Sequence, residues 1–125
     1  MANELILIVE DHDKNRKLVR DVLTFTGYRV AEAETGEDGV RLARELRPDL
    51  ILMDIQLPGI NGMTALAQIR QDAAISRTPV IAVTASAMTH DRQKIMAAGF
   101  DGYQSKPINV KDFLVAVRDM LDRHD

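Results

Sequence analysis

The sequence contains no cysteine. That absence excludes a disulfide framework, a thiolate metal site and a cysteine nucleophile, and leaves chemistry to oxygen and nitrogen groups. Long apolar runs are also missing. No unbroken stretch exceeds that of Leu5–Val9, far short of the roughly 20 residues that cross a bilayer. The opening Met1-Ala2-Asn3-Glu4 lacks the basic start of a signal peptide. Membrane insertion is not expected, and cytoplasmic residence is. Nor does one sign of charge dominate: 16 Lys and Arg against 19 Asp and Glu leave a net charge of -3. Binding to a phosphate backbone normally needs a strong basic excess, so direct contact with DNA or RNA is not expected.

What is present is an ordinary globular balance, 46% hydrophobic and 28% charged over 125 residues. A chain of this size buries a core without staples, so one domain over residues 1–125 is expected. Leu5-Ile6-Leu7-Ile8-Val9 lacks alternation, as a strand covered on both faces does. Leu18, Val19, Val22 and Leu23 then form a helical stripe, with Asp13 as N-cap and Gly27 as stop. Tyr28 to Ala33 reads as a strand. Val40, Ala43 and Leu46 mark a helix ending before Pro48.

Leu50-Ile51-Leu52-Met53 repeats the buried-strand pattern and stops at Asp54. Two turn signals, Pro58-Gly59 and Asn61-Gly62, lead to a helix from about Met63 to Gln71 carrying Met63, Leu66 and Ile69. Pro79 opens a strand over Val80 to Val83. Ile95, Met96 and Ala98 suggest a helix stopped at Gly99, and Gly102 to Ser105 reads as a weaker fifth strand. Phe113, Leu114, Val117, Met120 and Leu121 form the last stripe, led by Asn109 as cap with Asp112 three residues on. Five strand–helix alternations imply an α/β fold, a parallel sheet with helices on both faces.

In doubly wound sheets, sites form at the carboxyl ends of the strands. Here the first strand is followed by Glu10 and Asp11, the third by Asp54, the fourth by Thr84 and the fifth by Lys106-Pro107. If these ends are neighbours, three carboxylates, a hydroxyl and an ammonium share one shallow pocket. Such carboxylates repel unless a hard divalent cation lies among them, and magnesium suits a few carboxylates, a carbonyl and waters completed by phosphate oxygens. A carboxylate beside it can act as a nucleophile toward phosphorus, giving an aspartyl phosphate. Phosphoryl transfer needs mainly positioning and charge neutralisation, which metal, ammonium and hydroxyl supply.

Ile8-Val9-Glu10-Asp11, Leu52-Met53-Asp54-Ile55-Gln56-Leu57-Pro58-Gly59, Val83-Thr84-Ala85 and Ser105-Lys106-Pro107 together resemble the receiver domain of two-component response regulators over essentially the whole chain. The resemblance implies a flavodoxin-like fold, five parallel strands in the order 2-1-3-4-5 flanked by five helices. It also implies that Asp54 accepts phosphate from a phosphohistidine, with magnesium held by Glu10, Asp11, Asp54 and the Gln56 backbone carbonyl. Lys106 would pair with the phosphoryl oxygens. Thr84 would donate its hydroxyl to them and move, and Tyr103 would rotate inward behind it as the second half of the switch. The Lys106–Pro107 bond is often cis in the family, which costs an X–Pro bond only about 0.5–1 kcal/mol.

The implied partners are a histidine kinase or histidine phosphotransfer protein upstream and a target protein downstream. The first helix, with Lys14, Arg16, Lys17 and Arg20 around Leu18, would dock the former. The surface of helix four, strand five and helix five would carry the output. The domain is expected to be a phospho-accepting regulator rather than an enzyme, and a single-domain regulator in preference to a receiver belonging to a hybrid kinase. Gln56 and Ser86 occupy positions that adjust phosphoryl lifetime in the family.

Each of these residues has a plainer reading taken singly. An acidic pair after a strand is common, Asp54 could close an Asx turn, Thr84 could cap a helix and Lys106 could be a solvated lysine. Their conjunction at four strand ends favours the functional reading, while an aromatic such as Tyr103 in a last strand can be simple packing. His12, His90 and His124 are scattered and lack metal-ligand spacing, and they read as surface residues, with His12 able to tune the acidic pair modestly. Met53, Met63, Met88, Met96 and Met120 read as core or partner-facing. Gly36, Gly39, Gly59 and Gly62 read as turn and helix-end glycines. A flavin carrier is disfavoured because Glu10-Asp11-His12-Asp13 would repel its phosphate. A phosphatase of the haloacid dehalogenase type is disfavoured because its nucleophile follows strand one. A receiver-like binding module that works without phosphorylation is the remaining rival.

Overall fold

The computed structural model describes residues 3–85 and 89–123, the side chains of 89–91 excepted. Five strands, β1 (Leu5–Val9), β2 (Arg29–Ala33), β3 (Leu50–Asp54), β4 (Val80–Thr84) and β5 (Gly102–Ser105), alternate with five helices, α1 (Asp13–Thr26), α2 (Gly36–Leu46), α3 (Gly62–Gln71), α4 (Thr89–Ala97) and α5 (Val110–Arg123). The strands form one parallel sheet in the order β2-β1-β3-β4-β5. Fold class and strand order are those expected from the sequence.

The uninterrupted apolar strands are explained by burial on both faces. Alternate residues of β1 and β3 point opposite ways. Leu7, Val9, Ile51 and Met53 pack with Val40, Ala43, Leu66, Ile69 and Ile95 of α2, α3 and α4. Ile6, Ile8, Leu50 and Leu52 pack with Val19, Leu23, Phe113, Val117 and Leu121 of α1 and α5. Truncating one such side chain to alanine costs about 2–5 kcal/mol. The register sets Val9 opposite Met53 and Asp54 opposite Val83, so the ends of β1, β3 and β4 reach one level.

Several expected details differ. His12, not Asp13, is the N-cap of α1. Asp13 is the first helical residue, where its charge favours the helix dipole and its carboxylate accepts from Arg16 at 2.7 Å. β2 begins one residue later than read and α3 one residue earlier, and Asn61 caps α3 by accepting from the Thr64 N–H at 2.9 Å. Leu18, Leu46 and Met96 lie outside the core, 45%, 43% and 42% exposed. Each is one or three places from the residue that faces the sheet, Val19, Ala43 or Ile95, so the broad apolar stripe overran the buried face. Asn109 accepts from the Asp112 N–H at 3.1 Å, as the capping pattern required. Gly27 ends α1 with φ 106°. Ser86, Met88 and His124 fall outside the described residues, as does the side chain of His90.

Candidate functional site

The strand ends deliver the acidic and basic groups to one place. The Glu10 backbone N–H donates to the Ala33 carbonyl at 3.0 Å, prolonging the β1–β2 ladder by one residue. The residue is 5% exposed, and its side chain turns inward to the Lys106 ammonium. Asp54 ends β3 and is equally buried. Lys106 follows β5, with its backbone N–H donating to the Thr84 carbonyl at 2.8 Å, and the Lys106–Pro107 peptide is cis. The Lys106 Nζ lies 2.6 Å from Glu10 Oε1 and 3.0 Å from Asp54 Oδ2, bridging two carboxylates that would otherwise repel. Thr84 is buried at the end of β4, one place beyond the partner of Asp54.

Burial is the largest influence on Glu10 and raises its pKa. The neighbouring Asp54 adds to the rise, and Lys106 and the His12 N–H, which donates to Glu10 Oε2 at 3.2 Å, oppose it. Burial alone would depress Lys106, but its bonds to Glu10 and Asp54 outweigh that and hold the ammonium charged. An apolar floor of Ile8, Val19, Leu52 and Val83 underlies Glu10 and Asp54 and keeps these interactions in a weakly screening medium.

The remaining groups line the rim. Asp11 is half-buried, and its Oδ1 is buried without a hydrogen-bond partner among the described residues. Such an atom costs about 1–3 kcal/mol unless something else binds it. Ligand atoms of Glu10, Asp11 and His12 all lie within 4.8 Å of one another. With Asp54 nearby, the donor set is mainly hard carboxylate oxygen, of the kind that suits a divalent cation. Gln56 joins the site through its backbone N–H, which donates to Asp54 Oδ1 at 3.1 Å. Tyr103, half-buried in β5, packs against the α2–α3–α4 side of the core, with the Arg92 guanidinium 5.0 Å above its ring.

Two supporting features escaped the sequence reading. Gly62 is more than a helix-end residue: a Cβ there would overlap the Asp54 carbonyl oxygen, so α3 approaches the end of β3 too closely for any side chain. Gly36, the first residue of α2, is a helix-end glycine as expected and also packs against Ile60, while Gly39, inside the helix, is set against Val9. Of the glycines read as turn formers, Gly59 fits that reading, with φ 74°. Arg16 is the second feature. The sequence places it among the docking residues of α1, yet its side chain is 16% exposed and donates to the Glu10 carbonyl at 3.0 Å while pairing with Asp13, Glu32 and Glu34. No local pattern signals a contact six residues away around a strand end.

Residues 6–118 match the family described as the response regulator receiver domain. The chain belongs to that family. The receiver is 43% identical over 116 residues to the polar-differentiation response regulator DivK of Brucella anthropi, covering 93% of this chain and 94% of that one. It superposes with a TM-score of 0.90 on the receiver domain of the sensor histidine kinase PA1611 from Pseudomonas aeruginosa PAO1, at 35% identity over 97% of this chain and 99% of that chain. That structure has a magnesium ion coordinated in the active site cleft. The chemotaxis protein CheY4 of Vibrio cholerae superposes with a TM-score of 0.89 at 26% identity, covering 95% of this chain and 99% of the other. The receiver is thus a two-component signalling domain. No helix among its described residues is long and apolar enough to cross a membrane.

Proposed function

We propose that the receiver, a single domain over residues 1–125, accepts a phosphoryl group on Asp54 from a phosphohistidine in a magnesium-dependent reaction, and that this changes its partner-binding surface. The observation that carries the reading is the buried Asp54 carboxylate held 3.0 Å from the Lys106 ammonium at the end of β3. An Asp54 oxygen attacks phosphorus, the P–N bond to the donor imidazole breaks, and that ring takes back a proton. Lys106 neutralises charge on the phosphoryl oxygens, and the Thr84 hydroxyl donates to them. Glu10, Asp11, Asp54 and the Gln56 carbonyl would hold magnesium, and the orphaned Asp11 Oδ1 and the hard donor set suit it. Bound there, magnesium would neutralise charge developing on the transferred group.

Movement of Thr84 toward the phosphoryl group, with Tyr103 turning inward, would be the switch. The domain accepts and loses phosphate without turning over a separate substrate, so it acts as a regulator in the cytoplasm rather than as an enzyme. A histidine kinase or histidine phosphotransfer protein would dock on α1, where Lys14, Lys17 and Leu18 are exposed beside Phe25 at 95% exposure. A downstream protein would read the α4, β5 and α5 face.

Incubation with magnesium and a small acyl phosphate, followed by intact-protein mass spectrometry, should add one phosphate to the wild type and none to Asp54→Asn. Equal labelling of both would overturn the assignment. Chelation should abolish labelling of the wild type, and added magnesium should restore it, if the acidic cluster holds the ion.

A further inference from the structure

His12 is the one residue of the strand-end cluster that neither the fold nor the phosphoryl chemistry accounts for. It occupies the N-cap of α1 with extended backbone, φ -79° and ψ 117°, yet makes no side-chain capping bond. Serine, threonine, asparagine or aspartate normally cap this position, and a residue that does not cap forgoes about 1 kcal/mol of helix stability. The imidazole lies instead beside the carboxylates, with a ring nitrogen, a Glu10 oxygen and an Asp11 oxygen all within 4.8 Å of one another. Three ligands about 2.1 Å from a common ion lie on average no more than about 3.6 Å apart, so the three donors close on a cation with side-chain movements of about an ångström, for which the exposed His12 ring has room. The backbone assists, because the His12 N–H holds Glu10 Oε2 at 3.2 Å and so ties the acid to the turn that carries the ring.

We infer that His12 is a nitrogen ligand of the cation site, and that it shifts the metal preference of this receiver from magnesium toward manganese and cobalt. The inference rests on the cation site proposed above and adds a donor and a selectivity to it. Magnesium takes oxygen ligands almost exclusively and gains little from imidazole. Later first-row ions accept nitrogen readily, with affinity rising from manganese to cobalt. A site of carboxylates alone has no such lever. With His12 as a donor, the ratio of manganese to magnesium affinity becomes a property of one side chain.

The test uses the full chain stripped of metal and titrated with manganese, cobalt or magnesium chloride at one fixed pH. His12→Asn removes the imidazole and supplies a residue able to cap the helix, and His12→Ala guards against asparagine supplying an oxygen ligand. Either variant should weaken cobalt and manganese about tenfold and change magnesium by less than about twofold. Pulsed electron paramagnetic resonance of the manganese-loaded wild type should show imidazole nitrogen coupling that both variants lack. Asp11→Asn separates the two readings. If it removes manganese binding while the His12 variants keep wild-type selectivity and the nitrogen signal is absent throughout, the cation site stands and the histidine assignment falls. If Asp11→Asn leaves every affinity unchanged, the cation site itself falls, and the inference with it.

Discussion

At the scale of single residues, the site depends as much on what is missing as on what is charged. Gly62 lets α3 reach the Asp54 carbonyl, and its own N–H donates to the Ile55 carbonyl at 2.9 Å. Gly62→Ala would push backbone against backbone, which cannot yield, and should cost about 1–3 kcal/mol. Gly102→Ala is the control, because its added methyl meets no backbone: its tightest contact is the Met120 Cε at 3.1 Å, the end of a flexible side chain, and Ile81 side-chain atoms lie at ordinary contact distances of 3.4 and 3.9 Å. Urea unfolding should show a marked loss for the first and a change within about 0.5 kcal/mol for the second. Equal effects would mean that close packing under Asp54 is unimportant. The acidic members of the site were legible because they follow apolar strands directly, where the chain order itself reports position, whereas Lys106 follows the weak strand Gly102–Ser105 and was legible from the Ser105-Lys106-Pro107 pattern. Gly62 was not, since Asn61-Gly62 reads as turn punctuation and nothing local reveals a carbonyl from β3 overhead. His12 was seen as a neighbour of the acids, but its failure to cap α1 is visible only in three dimensions.

At the scale of elements, strands and helices were readable because burial on both faces leaves continuous apolar runs, and because caps such as Asn109 act within a few residues. Their exposed edges were less readable, since an amphipathic stripe read from sequence is wider than the contact that covers it. Leu18 and Met96 illustrate this. Longer ties between elements were invisible. Arg70 at the end of α3 donates to the Ser76 and Thr78 carbonyls at 3.2 and 2.6 Å, and to Gly99 and Asp101 at 3.1 and 2.8 Å. Asp101 in turn accepts from the Val80 N–H at 2.9 Å. One guanidinium thus joins α3, the start of β4 and the turn before β5, at the end of the sheet away from the acids. Both charged partners are partly covered, at 25% and 31% exposed, so several acceptors lose their donor together. Arg70→Ala should cost about 1–3 kcal/mol and speed amide exchange at Val80 and in the turn before β5. The amides of β1 should keep wild-type protection. Unchanged exchange at Val80 would show that the cluster is not a tie.

At the scale of the whole molecule, the first strand and the last helix are held together by charge as well as by the core. Arg118 of α5 pairs with Glu4 at 2.8 Å, just before β1, while also reaching Asp122 and the buried Tyr28 hydroxyl. The two ends of the chain belong to one cooperative unit by this contact, which spans 114 positions and could not be read from any local pattern. The Arg118 bond holds the Glu4 carboxyl at about 2, against an ordinary 4.5. A carboxylate depressed on folding contributes stability above its unfolded value and loses it as pH falls through the folded one. Glu4 therefore stabilises the receiver fully above about 4.5 and progressively less down to about 2. Its side chain is 25% exposed and that of Arg118 37%, so solvent screening limits the gain to less than about 1 kcal/mol. Glu4→Gln should lower the urea midpoint slightly at neutral pH, and the gap from wild type should shrink below pH 4.5 and close near pH 2. A gap that stayed constant across that range would assign the loss to packing at the β1–α5 edge instead of to the charge on Glu4.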